Sequence, residues 1–425
     1  MTNTELLHLL HSEVVPAIGC TEPIAVALCV ARAKELLGEL PESITVSLSK
    51  NVYKNAFAVG IPNTGMTGLP IAIALGATVG KSEYMLEVLR DATPEAVEDA
   101  KRYMLHVPAS IRIDYDAPSI LYIHAEVSAS GRTAQATIMD EHTKFVESTG
   151  EANLPSTGEV DLQHNELSLH RVYDFAMEVD SDQLTFLLEG AKMNTAAAET
   201  SFADQYGHGL GRLLRANTLS ATPEMQRLFG DTLFTKIISY TCGACDARMS
   251  GAMVPVMSNS GSGNQGISCS IPVYLYAKEN HCSEEHTLRA LALSNLTVIY
   301  IKQSLGRLSA LCGCVVAATG SAAGITYLMG GKYEEITYAI KNMIANISGM
   351  ICDGAKPGCA LKVTSGVATA IFSSYLAMQH SVADSTEGII EEDIDRTIHN
   401  LTRIGHDGMQ VTDDLILDIM THKQL

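Results

Sequence analysis

The spacing of apolar residues along the first 150 positions alternates between the helical and the strand period. Thr21 is the predicted N-cap of the first long helix, with Pro23 in its first turn, and Ser130–Gly131 is a predicted turn between strands. The pattern therefore predicts an α+β domain with an antiparallel sheet. The predicted elements are a helix at 21–37, a half-buried strand at 44–53, an exposed helix at 94–106 and consecutive strands at 109–115, 121–130 and 132–147.

The apolar spacing after residue 168 is almost entirely helical. Residues 150–168 are polar, contain Gly, Pro and Ser, and have no clear period, which is typical of a linker. Segments such as 284–305 and 333–350 then repeat the helical period. We therefore predict two domains, an α+β domain at 1–155 and a mostly α domain at 156–425.

The charges are acidic in balance and unevenly distributed. Against 48 Asp and Glu the 425 residues hold 29 Lys and Arg, a net charge of −19, which argues against nonspecific nucleic-acid binding. Four blocks contain no charged residue and are rich in small or polar residues, which favours a neutral shell around a buried site over membrane spans. These blocks are residues 55–80, 249–277, 308–331 and 363–383.

The first residues have no basic region followed by an apolar run, so they do not resemble a secretory signal. This predicts a cytoplasmic protein, whose ten cysteines indicate metal or redox chemistry more than disulfides. Cys20, in the segment GCTEP, precedes the helix at 21–37, where the helix N-terminus favours a thiolate. It could be a nucleophile, a base or a metal ligand, or a buried cysteine beside an ordinary cap. Cys242 and Cys245 lack a thioredoxin-like context, which favours a structural role.

The polar segment SNSGSGNQG at residues 258–266 precedes another predicted helix. Its glycines match the dinucleotide pattern, but no clear βαβ unit surrounds them, and no Gly-Lys-Ser/Thr follows as in a P-loop. The segment favours a nest of backbone N–H groups that binds an anion such as a carboxylate, and an ordinary flexible loop is the alternative. The predicted substrate-binding residues here are Ser260, Gly261, Ser262, Asn264 and Gln265.

Four late cysteines lie in two short segments. Cys312 and Cys314 are separated by one glycine, and Cys352 and Cys359 bracket a loop with Asp-Gly and Pro-Gly turn signals. The gap between Cys352 and Cys359 is too long for a zinc knuckle. Two thiolates on one loop with a third from elsewhere suit an iron–sulfur cluster, although spacing alone does not choose the metal.

Three segments together resemble the bacterial and archaeal L-cysteine desulfidases, filed as an uncharacterised family within the serine dehydratase alpha-chain group. They are GCTEP at 19–23, SLSKNVYKNAFAVGIPNTG at 47–65 and CDGAKPGC at 352–359. The resemblance runs essentially from end to end. Residues 253–273 and 311–324 also resemble the alpha part of iron–sulfur L-serine dehydratases, so the helical domain is expected to be an iron–sulfur domain of that type.

The resemblance implies a [4Fe–4S] cluster held by three cysteines, with one iron open for substrate, and no pyridoxal phosphate. The ligands carried over are Cys312, Cys352 and Cys359, with Cys314 a rival to Cys312. Cys20 matches the desulfidase cysteine thought to act at the active site. Serine dehydratases space their last two ligands more widely and can end in a cysteine, and both differences favour the desulfidase branch.

The resemblance also implies an α,β-elimination of L-cysteine to pyruvate, ammonia and hydrogen sulfide. The open iron would act as a Lewis acid, Cys20 as the base for the α-proton, and the segment at 260–265 as the carboxylate site. The alternatives are an L-serine dehydratase and a non-catalytic iron–sulfur sensor or binding protein. Further candidates for orienting the substrate, or else members of a charged strand face, are Lys50, Asn51, Lys54, Asn55 and Thr64.

The expected partner is a small amino-acid substrate. Neither nucleic acid nor a membrane is expected as a partner, and the sequence leaves a homo-oligomer open.

Overall fold

The computed structural model describes residues 1–146, 167–220 and 222–423. The predicted linker at 150–168 therefore lies almost wholly outside the described residues. The first part combines helices with a five-stranded sheet, as its mixed periodicity predicts. Its elements are α1 (Asn3–Glu13), β1 (Pro16–Ile18), α2 (Thr21–Leu37), β2 (Ser43–Ser49), α3 (Lys50–Ala56), α4 (Leu69–Thr78), α5 (Pro94–His106), β3 (Ser110–Asp114), β4 (Tyr122–Ala129), β5 (Arg132–Met139) and β6 (Phe145–Val146).

The sheet of the first part is mixed, with the strand order β3-β2-β4-β5-β6. All neighbouring strands run antiparallel except β2 and β3, which run parallel. The predicted antiparallel sheet is therefore wrong at this one pair. The chain passes through α3, α4 and α5 between the two strands, and such a long helical crossover lets it return in its original direction. The turn predicted at Ser130–Gly131 is confirmed, because it joins β4 to β5 with positive φ at both residues.

The strand predicted at 44–53 ends early, at Ser49. The Ser49 side chain is hydrogen-bonded to the backbone at the start of β4, which fixes the end of β2. The chain then turns into α3 at Lys50. Residues 50–55 therefore project from a short helix and do not alternate between the two faces of a sheet.

The second part is built almost entirely from helices, as predicted. Many of its apolar side chains form one large core. Its elements are α6 (Leu169–Glu178), α7 (Thr185–Ala203), α8 (Leu210–Ser220), α9 (Pro223–Phe229), α10 (Leu233–Met249), β7 (Pro255–Met257), α11 (Gly263–Glu279), α12 (Glu284–Leu305), α13 (Gly313–Leu328), α14 (Tyr333–Ile347), α15 (Cys359–Ala377), α16 (Ile394–Arg403) and α17 (Gln410–Thr421).

Small residues let α13 pack closely inside this helical core. A Cβ at Gly320 would lie 2.5 Å from the Ser294 carbonyl oxygen of α12, so only glycine permits this approach. The apolar segment at 308–331 is thus largely buried among other helices. Among the described residues, only α15 is long and apolar enough to cross a membrane, a test that core helices also pass.

The first residues of the chain pack against the helical core. Leu6 and Leu10 of α1 belong to that core, and β1 pairs antiparallel with β7, with Ala17 opposite Val256. This pairing brings the GCTEP segment beside the segment that follows β7. The division into domains at residue 155 falls within residues that the structure does not describe, and it stays a prediction.

Candidate active site

A backbone bridge places Cys312 beside Cys352. Leu311 and Ile351 form an isolated antiparallel β-bridge, which lies immediately before each cysteine. The Cys312 N–H donates to the Met350 carbonyl at 2.9 Å, and the Cys352 N–H donates across the same bridge. Two cysteines that are forty positions apart in the sequence therefore leave neighbouring backbone segments.

The loop from Cys352 to Cys359 packs against α3 and leads into α15. Gly354 has a φ of 88°, and a Cβ there would lie 2.4 Å from the Lys54 carbonyl oxygen, so this close approach requires glycine. The Lys54 ammonium donates to the Cys352 carbonyl at 3.4 Å. Cys359 is the first residue of α15. The turn signals in the sequence thus correspond to a compact loop that is fixed from both ends.

The thiols of Cys312, Cys352 and Cys359 are electrostatic neighbours. Burial, followed by the charges of Cys352 and Cys312, raises the pKa of Cys359 to about 11. Burial also raises the pKa of Cys352, to which Cys312 contributes in the same direction. Among the described residues, no three His, Cys, Asp or Glu side chains form a site for a single metal ion. A multi-iron cluster does not require its thiolates to meet at one atom, so the three-thiol donor set fits such a group.

Cys314 supports Cys312 through a sulfur–sulfur contact of 3.3 Å. The hydrogen bond from the Cys314 thiol lowers the pKa of Cys312 to about 7, whereas the pKa of Cys314 is raised well above its usual value. Cys314 also contacts the Met350 sulfur and the Lys362 carbonyl oxygen. Of the two sulfurs, Cys312 is the one that exists more readily as a thiolate.

Cys20 is the N-cap of α2, so the predicted cap at Thr21 is wrong by one residue. Its thiol, which is 3% exposed, donates to the Glu22 carboxylate at 3.4 Å, and the same carboxylate accepts from the Asn55 amide at 3.0 Å. Burial, followed by the Glu22 charge, raises the pKa of Cys20, although Arg248 opposes the rise. The expectation that the helix N-terminus alone favours a thiolate is therefore wrong, because desolvation and Glu22 outweigh it. The charge of Cys359 also raises this pKa, so Cys20 lies near the thiol loop.

Two buried side chains that the sequence did not single out complete this region. Arg248, at the end of α10, donates to the Asn264 amide oxygen and the Thr21 hydroxyl, while its Nε has no partner. His142 follows β5 and lies against Gly261, with its Nε2 unpartnered. Burial lowers the pKa of His142 to about 4, although Glu22 opposes this. Arg248 is the last charge before the neutral block at 249–277, which is the only signal that the sequence carried for it.

The predicted anion-binding segment divides into two parts. Its last residues belong to the first turn of α11, because that helix begins at Gly263 and not at Gly266, where the segment GISCSIPVYLYA predicts its start. The Ser260 hydroxyl donates to Asn259, and Asn264 accepts from Arg248. Gln265 is buried beside Gly313, and its amide oxygen has no hydrogen-bond partner. Gln265 therefore connects this segment to the Cys312–Cys314 turn.

The remaining predicted orienting residues lie elsewhere or on another face. Thr64 holds its own turn, since its hydroxyl donates to the Ile61 carbonyl. Three α3 side chains bind acids of α17, and with His406 and Ser309 they line a cavity of about 320 Å³. We call this set the α17 network, and it consists of Lys50, Asn51, Lys54, Asp413 and Asp414. We call Cys20, Glu22, Asn55 and Arg248 the Glu22 cluster.

The chain is similar along nearly its whole length to a set of related proteins. The family model described as serine dehydratase alpha chain matches residues 83–418. A UPF0597 protein of Phocaeicola vulgatus is 58% identical over 426 residues, which cover 99% of this chain and 98% of the relative. A UPF0597 protein of Bacteroides fragilis is 57% identical over 432 residues and covers 100% of both chains. One of Oleidesulfovibrio alaskensis is 44% identical over 426 residues, with 98% of each chain covered.

Proposed function

We propose that this chain, which belongs to the serine dehydratase alpha chain family, is a carbon–sulfur lyase that converts L-cysteine to pyruvate, ammonia and hydrogen sulfide. The family supports an elimination reaction on a small hydroxy or thiol amino acid. The observation that carries the proposal is the position of Cys20, whose thiol donates a hydrogen bond to Glu22 and is electrostatically coupled to Cys359, a member of the three-thiol set. A base near a set of cysteines that can bind iron suits the removal of sulfide.

Cys312, Cys352 and Cys359 would hold a [4Fe–4S] cluster, because thiolates are the usual ligands of such clusters. The unpartnered Gln265 oxygen beside the Cys312 turn is consistent with a further group at this place. When bound, the cluster supplies a Lewis acid for the soft substrate sulfur, which makes sulfide a better leaving group. The hydrogen bond from Cys314 favours Cys312 as the ligand of this pair.

Cys20 removes the α-proton of the substrate in this proposal. Glu22 orients the Cys20 thiol through the existing hydrogen bond, and the Arg248 charge stabilises the thiolate that forms when the thiol loses its proton. Burial makes this thiolate rarer but also more basic, because a base of higher pKa takes a proton more strongly. The α-proton passes to the Cys20 sulfur, the substrate Cβ–S bond breaks, and aminoacrylate and hydrosulfide form. Water then converts aminoacrylate to pyruvate and ammonia.

The same machinery could act on L-serine, and the family description favours that second candidate. A hydroxyl is a harder and poorer leaving group than a thiolate, so it needs more help from the site. The two candidate functions differ in which substrate is turned over faster. They also differ in the group that leaves, which is sulfide from L-cysteine and water from L-serine. They are therefore separated by one assay with two substrates.

The test begins with anaerobic reconstitution of the full chain with iron and sulfide. Pyruvate and sulfide are measured from L-cysteine, and pyruvate from L-serine. A matched control is Cys29→Ser, since Cys29 is buried in the apolar core of the first part, where its thiol donates to a carbonyl of β5. Faster turnover of L-cysteine, retained by the control, supports the lyase. A higher kcat/KM for L-serine makes the protein a serine dehydratase, and cluster-loaded protein that turns over neither substrate overturns the enzymatic proposal.

A further inference from the structure

Arg248 is a buried cation that forms no salt bridge with an acidic side chain among the residues that the structure describes. It is 2% exposed, and in the part of the chain that the structure describes its hydrogen bonds go to neutral oxygens of Asn264 and Thr21. Its Nε is buried and has no hydrogen-bond partner within the described ranges. A guanidinium has five N–H donors, so most of its capacity is unused. An uncompensated charge in such a place is costly unless an anion joins it.

The positions around Arg248 favour an anion. A Cβ at Gly263 would lie 2.3 Å from the Arg248 Nε, so the guanidinium lies directly against the first residue of α11. Thr21 is the first residue of α2, and both helices are 17 residues long. Two helix N-termini therefore add their partial positive charges to that of Arg248. The two observations together, a helix-terminal position and an unpartnered buried donor, indicate a carboxylate ligand.

Glu22 and Asn55, which lie in the same cluster as Arg248, have acceptor positions that no donor of the described residues fills. The Asn55 amide nitrogen donates to Glu22, which fixes the orientation of the amide, and the Asn55 oxygen is buried with no hydrogen-bond partner in the described part of the chain. The Glu22 carboxylate itself receives one N–H and one weak S–H donor. A carboxylate has about four acceptor positions, so two remain. Unfilled acceptors beside a negative charge suit an ammonium group.

We infer that the Glu22 cluster is a zwitterion site, in which Arg248 binds the α-carboxylate of an amino acid, and Glu22 with Asn55 binds its α-ammonium group. The site selects α-amino acids over thiols that lack either charge. Cys20 is hydrogen-bonded to Glu22 and electrostatically coupled to Arg248. It then faces the α-carbon, which joins the carboxylate and the ammonium group. This inference rests on the proposed function only for the identity of the substrate side chain.

The test uses two half-ligands and the reconstituted full-length protein under anaerobic conditions. The first, 3-mercaptopropionate, has the thiol and the carboxylate, and the second, cysteamine, has the thiol and the ammonium group. Their dissociation constants are measured by calorimetry for the wild type, Arg248→Gln, Arg248→Lys and Asn55→Leu. Arg289→Gln is the matched control, because Arg289 is another arginine held by hydrogen bonds to uncharged oxygens, here backbone carbonyls, but it lies on α12 and outside the Glu22 cluster.

Arg248→Gln is expected to weaken 3-mercaptopropionate by about 30-fold or more and to leave cysteamine within about threefold. Asn55→Leu is expected to show the reverse pattern, with cysteamine weakened by about tenfold. Arg248→Lys falls between the wild type and the Gln variant, and Arg289→Gln changes neither constant. Retained binding of one half-ligand shows that a variant is folded.

Equal loss of both half-ligands in Arg248→Gln, or no loss of either, overturns the zwitterion site. These outcomes are separate from those of the turnover assay. Protein that binds the half-ligands in the expected pattern but releases no sulfide from L-cysteine contradicts the lyase and leaves the site standing. Sulfide release by Arg248→Gln with an unchanged KM contradicts the site and leaves the lyase standing.

Discussion

The helix α3 takes part in two polar regions that satisfy their charges in opposite ways. In the α17 network, Lys50 pairs with Asp414, and Lys54 pairs with Asp413. In the Glu22 cluster, the next α3 residue, Asn55, keeps a buried oxygen without a partner, and Arg248 keeps an unused Nε. The lysines of the α17 network are paired with its aspartates, whereas the Glu22 cluster keeps buried polar atoms that no described residue binds.

This difference separates a structural role from a binding role. Buried polar groups in folded proteins are almost always hydrogen-bonded, so orphaned ones require an explanation. In the α17 network the opposite charges compensate one another, so no ligand is needed, and their pairing stabilises the contact between α3 and α17. An open cluster of opposite charges beside reactive thiols is explained by a ligand. The predictions below test this contrast in order of decreasing effect.

The largest effect is expected at the thiols next to the Glu22 cluster. Cys352→Ser or Cys359→Ser should prevent normal cluster formation and abolish turnover, because an oxygen ligand binds iron–sulfur centres poorly. The measurement is the visible absorbance and iron content after anaerobic reconstitution. Cys242→Ser, a change at a buried cysteine outside the three-thiol set, is the control and should load normally. Normal absorbance in either ligand variant would refute its assignment.

Cys20→Ser is expected to keep the cluster and to lower kcat by about 10²- to 10⁴-fold, the usual contribution of a general base. Since burial and Glu22 raise the pKa of Cys20, the thiolate fraction grows with pH, so the wild-type rate should climb into the alkaline range. The Ser variant should lose this rise. The readout is the pH profile of kcat/KM together with cluster absorbance. A loaded variant of full activity would remove Cys20 from the mechanism.

The sequence predicted the elements better than their arrangement. The helix at α2 and the hairpin of β4 and β5 follow from local periods and turn residues. The parallel pairing of β2 with β3 does not, because it depends on where a long helical crossover returns the chain. The end of β2 at Ser49 was also missed, since the residues that follow fit both the strand and the helical period.

The site residues that can be proposed from the sequence are those that stand in local patterns. Cys20, Cys352 and Cys359 stand in short distinctive segments, and their electrostatic proximity agrees with the grouping. Arg248 and His142 are single residues without such a segment, and only the fold gives them partners. The pKa of Cys20 was predicted in the wrong direction, because a sequence shows the helix end but not the burial or the orientation of Glu22.

Lys54→Met tests the α17 network and should destabilise the protein by about 3 kcal/mol. Lys54 is 2% exposed and binds Asp413, and removing one partner of a buried pair leaves the other uncompensated. Asn51 still donates to Asp413, which places the loss at the lower end of the usual range. The free energy of unfolding in urea is the measurement. A loss below about 1 kcal/mol would show that this network contributes little.

His142→Gln tests the acid sensitivity of the region around the Glu22 cluster, since Glu22 acts electrostatically on His142. The folded pKa of His142, about 4, lies below the ordinary value of 6.5, so the unfolded chain binds the proton more readily between these values. Stability should therefore fall as the pH drops from 6.5 towards 4, by up to about 3 kcal/mol from this residue. The variant should show a correspondingly smaller loss between pH 7 and pH 4.5 in urea unfolding. An unchanged difference, equal to that of the exposed control His170→Gln, would contradict this assignment.

The smallest effect is expected at Lys50 and Asp414, the exposed edge of the α17 network. Their side chains are 37% and 57% exposed, so solvent screens the pair and leaves it worth about 0.5 kcal/mol. A double-mutant cycle of Lys50→Gln and Asp414→Asn isolates this coupling from other effects of each change, and added salt should reduce it further. A coupling above about 2 kcal/mol would place the pair with the buried Lys54–Asp413 contact. The exposed edge of the α17 network would then stabilise the contact between α3 and α17 as strongly as its buried end, which solvent screening does not allow.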